Sequence, residues 1–248
     1  MQWLLPALAL LFTLSARAET AGPLPDSAAV VEKVLARDEL QQVDLERYQY
    51  RQRVRTEKLD SRGQVRSASE LIMVVRPGQD GGFSIVADGS GAILAPDEAE
   101  DRSDEARASE KLKDTFSLRR LASRFDIRVA GQEECLGKPA YVLTFTPKPD
   151  KSFLPRSMTE RVLGRVEGRM WVAQDDYTIL RTEARLPKPV DLAWFFAVMK
   201  SFQFSYAAAP IPSGWGPGSF ALEYRVDAVP FQHIRQRQQI AIDGYRLR

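Results

Sequence analysis

After Tyr48, apolar side chains return at every second position through most of the chain, and a period of two commits it to β-structure. In the first such run Tyr48, Tyr50, Gln52, Val54 and Thr56 alternate with Gln49, Arg51, Arg53, Arg55 and Glu57. One face is mixed-apolar and the other charged, as on a strand with one wet side. Asp60-Ser61-Arg62-Gly63 supplies turn chemistry and 65–75 returns as a second strand, so a hairpin is predicted. A β-prone run at 83–87 follows between Gly-rich loops. Seven further strand signals stand at 127–133, 141–147, 165–173, 179–186, 202–207, 219–227 and 231–242. Gly137-Lys138-Pro139, Gln174-Asp175-Asp176 and 209–218 read as the turns and loops between them. An antiparallel meander of about ten strands is the expected architecture.

Helices are few. Ser27 is placed to cap one whose apolar positions Val30, Val31, Val34, Leu35 and Leu40 keep the helical period through about Gln42. A second is predicted where Leu112, Phe116, Leu118, Leu121, Ala122 and Phe125 recur at near-helical spacing. The charged run 98–110 that precedes it fits either a solvated lead-in or disorder.

The amino-terminal stretch reads as a cleavable signal peptide over residues 1–18: an apolar run from Trp3 to Leu14, then Ser15 and the small-x-small triplet Ala16-Arg17-Ala18. The run is shorter than the roughly 20 residues a membrane span needs. The expectation is a soluble periplasmic product. It is not lipid-anchored, because Cys135, the one cysteine, lies far from the cleavage point. Of the 248 residues, 230 remain once those 18 are removed, a length suited to a single β domain over 19–248. With 35 Lys and Arg against 33 Asp and Glu the charge is nearly balanced, which gives no warrant for a nucleic-acid partner.

Catalytic chemistry is sought and not found. One His and one Cys exclude the usual nitrogen and sulfur metal sites by count, so no metal and no cofactor is predicted. His233 reads as an exposed strand residue without partners, and Cys135, flanked by Glu133 and Glu134, as a passive thiol. Gly89-Ser90-Gly91 lacks the following Lys of a phosphate loop, and Asp175-Asp176 sits where a turn is required. The expectation is a protein that is not an enzyme.

Strands instead carry apolar and aromatic stripes: Tyr48, Tyr50 and Val54; Leu71, Met73 and Val75; Tyr141, Leu143 and Phe145; Phe202, Phe204 and Tyr206; Phe220, Leu222, Tyr224 and Val226. In a flat sandwich these form an ordinary core. In a curved sheet covered by helices they line a cavity for an acyl chain.

In order and motif the chain resembles the periplasmic outer-membrane lipoprotein-sorting proteins, the LolA/LolB-like family. The resemblance is carried by the short first helix, Tyr48-x-Tyr50 opening a long strand, Gly137-Lys138-Pro139-Ala140-Tyr141-Val142-Leu143, Gly168-Arg169-Met170-Trp171-Val172, and Asp176-Tyr177-Thr178-Ile179-Leu180-Arg181-Thr182-Glu183. It extends through Gly214-Trp215-Gly216-Pro217 to the last long strands. It implies a curved antiparallel half-barrel of about eleven strands with helices covering the concave face. It further implies an apolar interior that accepts a lipid or the acyl chain of a lipoprotein. Tyr50, Val54, Met73, Trp171, Leu222 and Tyr224 are the candidate lipid-binding residues on that reading. The alternative it leaves open is a protein-interaction or stress-sensing module that uses the same fold to hold an envelope membrane protein.

Overall fold

The computed structural model of the protein describes residues 23–77, 83–88, 118–149, 158–193, 197–228 and 232–248. Its strands are β1 (Tyr48–Leu59), β2 (Val65–Pro77), β3 (Phe83–Asp88), β4 (Phe125–Cys135), β5 (Lys138–Pro147), β6 (Glu167–Ala173), β7 (Ile179–Arg185), β8 (Val190–Ala193), β9 (Ala197–Ile211), β10 (Gly214–Ala228) and β11 (Gln232–Leu247). The described helices are α1 (Ser27–Leu45), α2 (Leu118–Arg124) and α3 (Met158–Leu163). The strands form one 11-stranded antiparallel sheet in the order β3-β2-β1-β11-β10-β9-β7-β6-β5-β4, with β8 paired to β9 off that path. The sheet is not closed, and it is the half-barrel expected from the sequence. Residues 1–18, read above as a signal peptide, Gly89-Ser90-Gly91, read as a turn, and the charged run 98–110 lie outside the described residues.

Two chain segments distant in sequence meet at the centre of this order. Apart from β8, the strands from β4 to β11 form a meander, while the hairpin β1–β2 with β3 docks on β11, Arg51 of β1 facing Asp243 of β11.

Helix α1 shows how local chemistry sets the architecture. Its N-cap is Asp26, whose carboxylate accepts from the Ala29 amide at 2.9 Å. The expected cap, Ser27, is the first helical residue, and its Oγ accepts from the amide of Val129 at 2.9 Å, tying the helix start to β4. Val30 and Val34 then bury against Leu143, Met170 and Val172. Further along, Gln41 donates to the carbonyl oxygen of Trp215 at 2.6 Å, so α1 crosses the sheet from β4 to β10.

That crossing explains the largest misreading of the chain. The stretch 209–218 looked like loop because of its Gly and Pro, yet β9 and β10 run straight through it to a turn at Pro212 and Ser213. A Cβ on Gly216 would stand 3.0 Å from Ile211 and 3.4 Å from Leu45 of α1. The glycine is where the helix presses on the strand. Phe125, expected to close a helix, opens β4, and the short elements α3 and β8 carry too few residues for a period to register.

Candidate functional site

Register turns the separate stripes into one surface. Val129, Leu143, Met170, Thr182, Tyr206, Phe220, Ile240, Val54 and Leu71 are successive cross-strand partners from β4 to β2. The row beside it runs Ile127, Phe145, Gly168, Ala184, Phe204, Leu222, Gln238, Thr56 and Ser69. Both rows face the helices, because α1 packs on Leu143 and Met170, and Val162 of α3 packs in the cluster of Phe145, Ala184, Phe202, Phe204 and Leu222. Alternate residues form the opposite face.

A cavity of about 80 Å³ lies between this face and the helices. Leu118 of α2 and Leu163 of α3 roof it; Phe145, Met170, Thr182, Ala184, Phe202 and Phe204 form its floor and walls. Thr182 is the one residue of its lining with a polar side chain. Part of the space is left by Ala184, whose small side chain stands beside Phe204 in that row. Gly168 cannot be enlarged: a Cβ there would come 2.1 Å from the carbonyl oxygen of Glu183 and 2.4 Å from Cζ of Phe145, whose ring lies across it. Phe125 in turn meets Phe145 edge-on at 5.5 Å between centroids.

Of the six residues proposed from sequence, five stand on the helix-bearing face. Tyr50, Val54 and Met73 meet in one cluster with Phe220 and Ile242; Leu222 and Tyr224 belong to the cluster that borders the cavity. Trp171 does not join them. Met170 and Val172 face α1, so Trp171 points to the other side, where it packs with Ala140, Val142 and Leu180. A shift of one residue in parity puts a strand side chain on the other face. Arg169 and Arg181 lie 4.8 and 5.1 Å from the Trp171 ring centroid, and its Nε1 donates to Glu133 at 2.9 Å. That hydrogen bond, with Arg169 beside it, holds the Glu133 carboxyl below its ordinary value.

Phe145, Phe202, Phe204 and Ala184, which line the cavity, and Gly168, on which the Phe145 ring lies, were missed as site residues. Their stripes were visible, but only register reveals that Gly168 and Ala184 stand side by side between large rings.

The opposite face is a lattice of ion pairs. Arg237 bridges Glu57 and Glu223 at 3.3 and 3.0 Å, Arg235 reaches Glu223 at 2.7 Å, and Arg55 reaches Glu57 at 2.8 Å. Burial pulls the Glu223 carboxyl upward, but hydrogen bonds from Arg235 and Arg237 outweigh it and hold the group below its ordinary value. An open hollow of about 700 Å³ lies on this side, bordered by Arg169, Glu183, Arg185, Glu167, Arg237 and Glu223. Each of those charges already has its partner, so the hollow offers no uncompensated charge to a ligand.

Cys135 is buried, and desolvation pushes its thiol up. Asp176 accepts from the Thr178 amide at 3.0 Å, a turn contact, and Asp175 pairs with Lys138. His233 is exposed as expected but has a partner, Asp227, 2.9 Å from its Nδ1. Among the described residues no group of three or more His, Cys, Asp or Glu is placed to hold a metal ion, and no helix is long and apolar enough to cross a membrane.

Fold and site thus define an open-sheet protein with one apolar, helix-bearing face and one charged face. No protein-family model and no curated protein matches the chain. Solved structures similar to it include a DUF1329 family protein from Desulfovibrio piger, with 14% identity, 90% of this chain and 94% of that one covered and a TM-score of 0.42. A LolA superfamily protein from Nitrosomonas europaea has 12% identity, coverage of 91% and 94% and a TM-score of 0.37. An outer membrane lipoprotein-sorting protein domain from Vibrio parahaemolyticus has 10% identity, coverage of 88% and 93% and a TM-score of 0.39.

Proposed function

We propose that this chain is a non-enzymatic binding or carrier protein of the periplasm that holds a lipid, or the acyl chain of a lipoprotein, against the apolar face of its sheet. The observation that supports this reading is the apolar cavity under the helices, where the small side chain of Ala184 leaves space between Phe145 and Phe204. Voids of this size are few in a packed core.

At about 80 Å³ the cavity is far below the roughly 300–1,000 Å³ of a typical ligand site, so it is the closed form of the pocket. Opening it requires only that its roof move. Helices α2 and α3 contain 7 and 6 residues, too short to hold their place without the packing beneath them. An acyl chain entering from the side exchanges their contacts with Phe145 and Phe204 for its own. Tyr50, Val54, Met73, Leu222 and Tyr224 extend the same apolar surface and are the contacts proposed for a longer ligand.

The test is native mass spectrometry of the protein purified from periplasm, followed by organic extraction. A co-purifying acyl species is the expected result. A bare protein mass that stays unchanged after incubation with lipids and lipopeptides would refute the reading and favour an interaction module for an envelope protein.

A further inference from the structure

The helix-bearing face changes character along one line. Five of the six residues from Ile127 on β4 to Leu222 on β10 in the cavity row are apolar side chains and the sixth is Gly168; beyond Leu222 the same row continues as Gln238, Thr56 and Ser69. The next row changes at the same place, from Phe202 and Tyr224 to Gln236, Lys58 and Ser67. Tyr224 marks the border, its hydroxyl donating to Oε1 of Gln236 at 3.2 Å.

The polar corner has a definite charge. The acids of β1, β2 and β11 are Glu57, Glu70 and Asp243, and all three are on the charged face, engaged by Arg55 and Arg237, by Arg53 and by Arg51. Lys58 is the one cation these strands direct to the helix-bearing side, and among the described residues it has no ion-pair partner. The hydroxyls and amides around it, of Thr56, Ser67, Ser69 and Gln238, make no side-chain hydrogen bond among the described residues either.

Building on the lipid-binding reading, we infer that this corner is a head-group shelf. The bound amphiphile lays its tail over Leu222 and Phe204 into the cavity and sets a hydroxylated head with a single negative charge on Lys58, Thr56, Ser69 and Gln238. The spacing fits. From Leu222 to Gly168 is three strand intervals, about 14 Å, close to the roughly 15 Å of one acyl layer in a bilayer. The shelf spans two more intervals, about 10 Å, room for a polyol phosphodiester and more than a bare carboxylate fills. One lysine neutralises one charge. The surrounding groups can both donate and accept, which suits hydroxyls on the head.

The experiment compares two soluble probes with identical tails, dioctanoyl phosphatidylglycerol and dioctanoyl glycerol, titrated against the full chain. The wild type is expected to bind the phosphatidylglycerol about tenfold more tightly, the scale of one charge-assisted hydrogen bond. Lys58→Met should erase that preference and leave diacylglycerol binding unchanged; the exposed position keeps folding out of the result. Thr56→Val with Gln238→Leu should reduce the preference in part. Equal binding of both probes by the wild type, or an unaltered preference in Lys58→Met, would overturn the shelf while leaving the lipid-binding reading in place. Binding of neither probe would overturn both.

Discussion

Replacing Ala184 by Leu tests whether the space under the helices is a ligand seat or a packing fault. Ala184 lines the cavity of about 80 Å³, and each Å³ of such a void costs about 24 cal/mol, so the empty space destabilises the fold by about 2 kcal/mol. A leucine side chain fills most of it from the sheet side. Ala184→Leu should therefore raise the unfolding free energy by about 1–2 kcal/mol, and Ala184→Val by roughly half as much, with the urea m-value unchanged. The same substitution occupies the place proposed for the tail, so uptake of dioctanoyl glycerol should fall at least tenfold. Stability and binding thus move in opposite directions, as when a protein keeps a void for use. Urea unfolding followed by tryptophan fluorescence and a binding titration on the same preparations decide it. Uptake at the wild-type level in a stabilised variant would refute the cavity as the tail seat. A loss of more than about 1 kcal/mol in both variants would refute the void itself, because the added carbons would then be overpacking.

Other perturbations follow from features elsewhere in the molecule. The two-residue loop Leu136-Gly137 has φ of 51° and 76°, the positive pair of a type I′ turn, and Leu136 is exposed; Leu136→Asn should stabilise by about 0.5–1 kcal/mol in thermal unfolding and leave ligand binding alone. Asp26→Ala removes the cap of α1 and should lower stability by about 1 kcal/mol, read from urea titration. Burial pushes the Asp38 carboxyl of α1 up despite a hydrogen bond from Gln42, so its native form holds the proton more firmly than the unfolded chain does. Its contribution is fully present below the ordinary value of 3.8 and is lost as pH rises through the raised one. Asp38→Asn should accordingly be the more stable protein at pH 7, and the difference should vanish in urea titrations below pH 3.8.

Much of the fold was legible because strands declare themselves by a period of two, and in β1 the charged alternates Arg51, Arg53 and Arg55 made even the wet face readable. What escaped depended on partners. Gly216 looked like loop because nothing in the sequence announces that Leu45 will lie over it. Trp171 looked like a cavity residue because an aromatic in a strand signals burial without saying on which side; its flanking Arg169 and Arg181, read as neighbours on the same face of paired strands, were the available clue. The site was the least legible part. It consists of what Ala184 leaves out, and a missing side chain has no period.

The pairing of β1 with β11 has a consequence for how the molecule comes to exist. Arg51 and Asp243 are 192 residues apart, and closing a loop of that length costs about 5 kcal/mol of chain entropy before any contact across it repays the loss. A chain made amino terminus first delivers β1, β2 and β3 early, then leaves them as a narrow ribbon with an unsatisfied edge until β11 emerges. For that interval two sheet edges, on β1 and on β10, are open templates for a neighbouring chain. The arginines of β1 repel a second copy of the same strand and so guard the wait. Folding of this protein should be slow, concentration-sensitive and completed by the strand that arrives last.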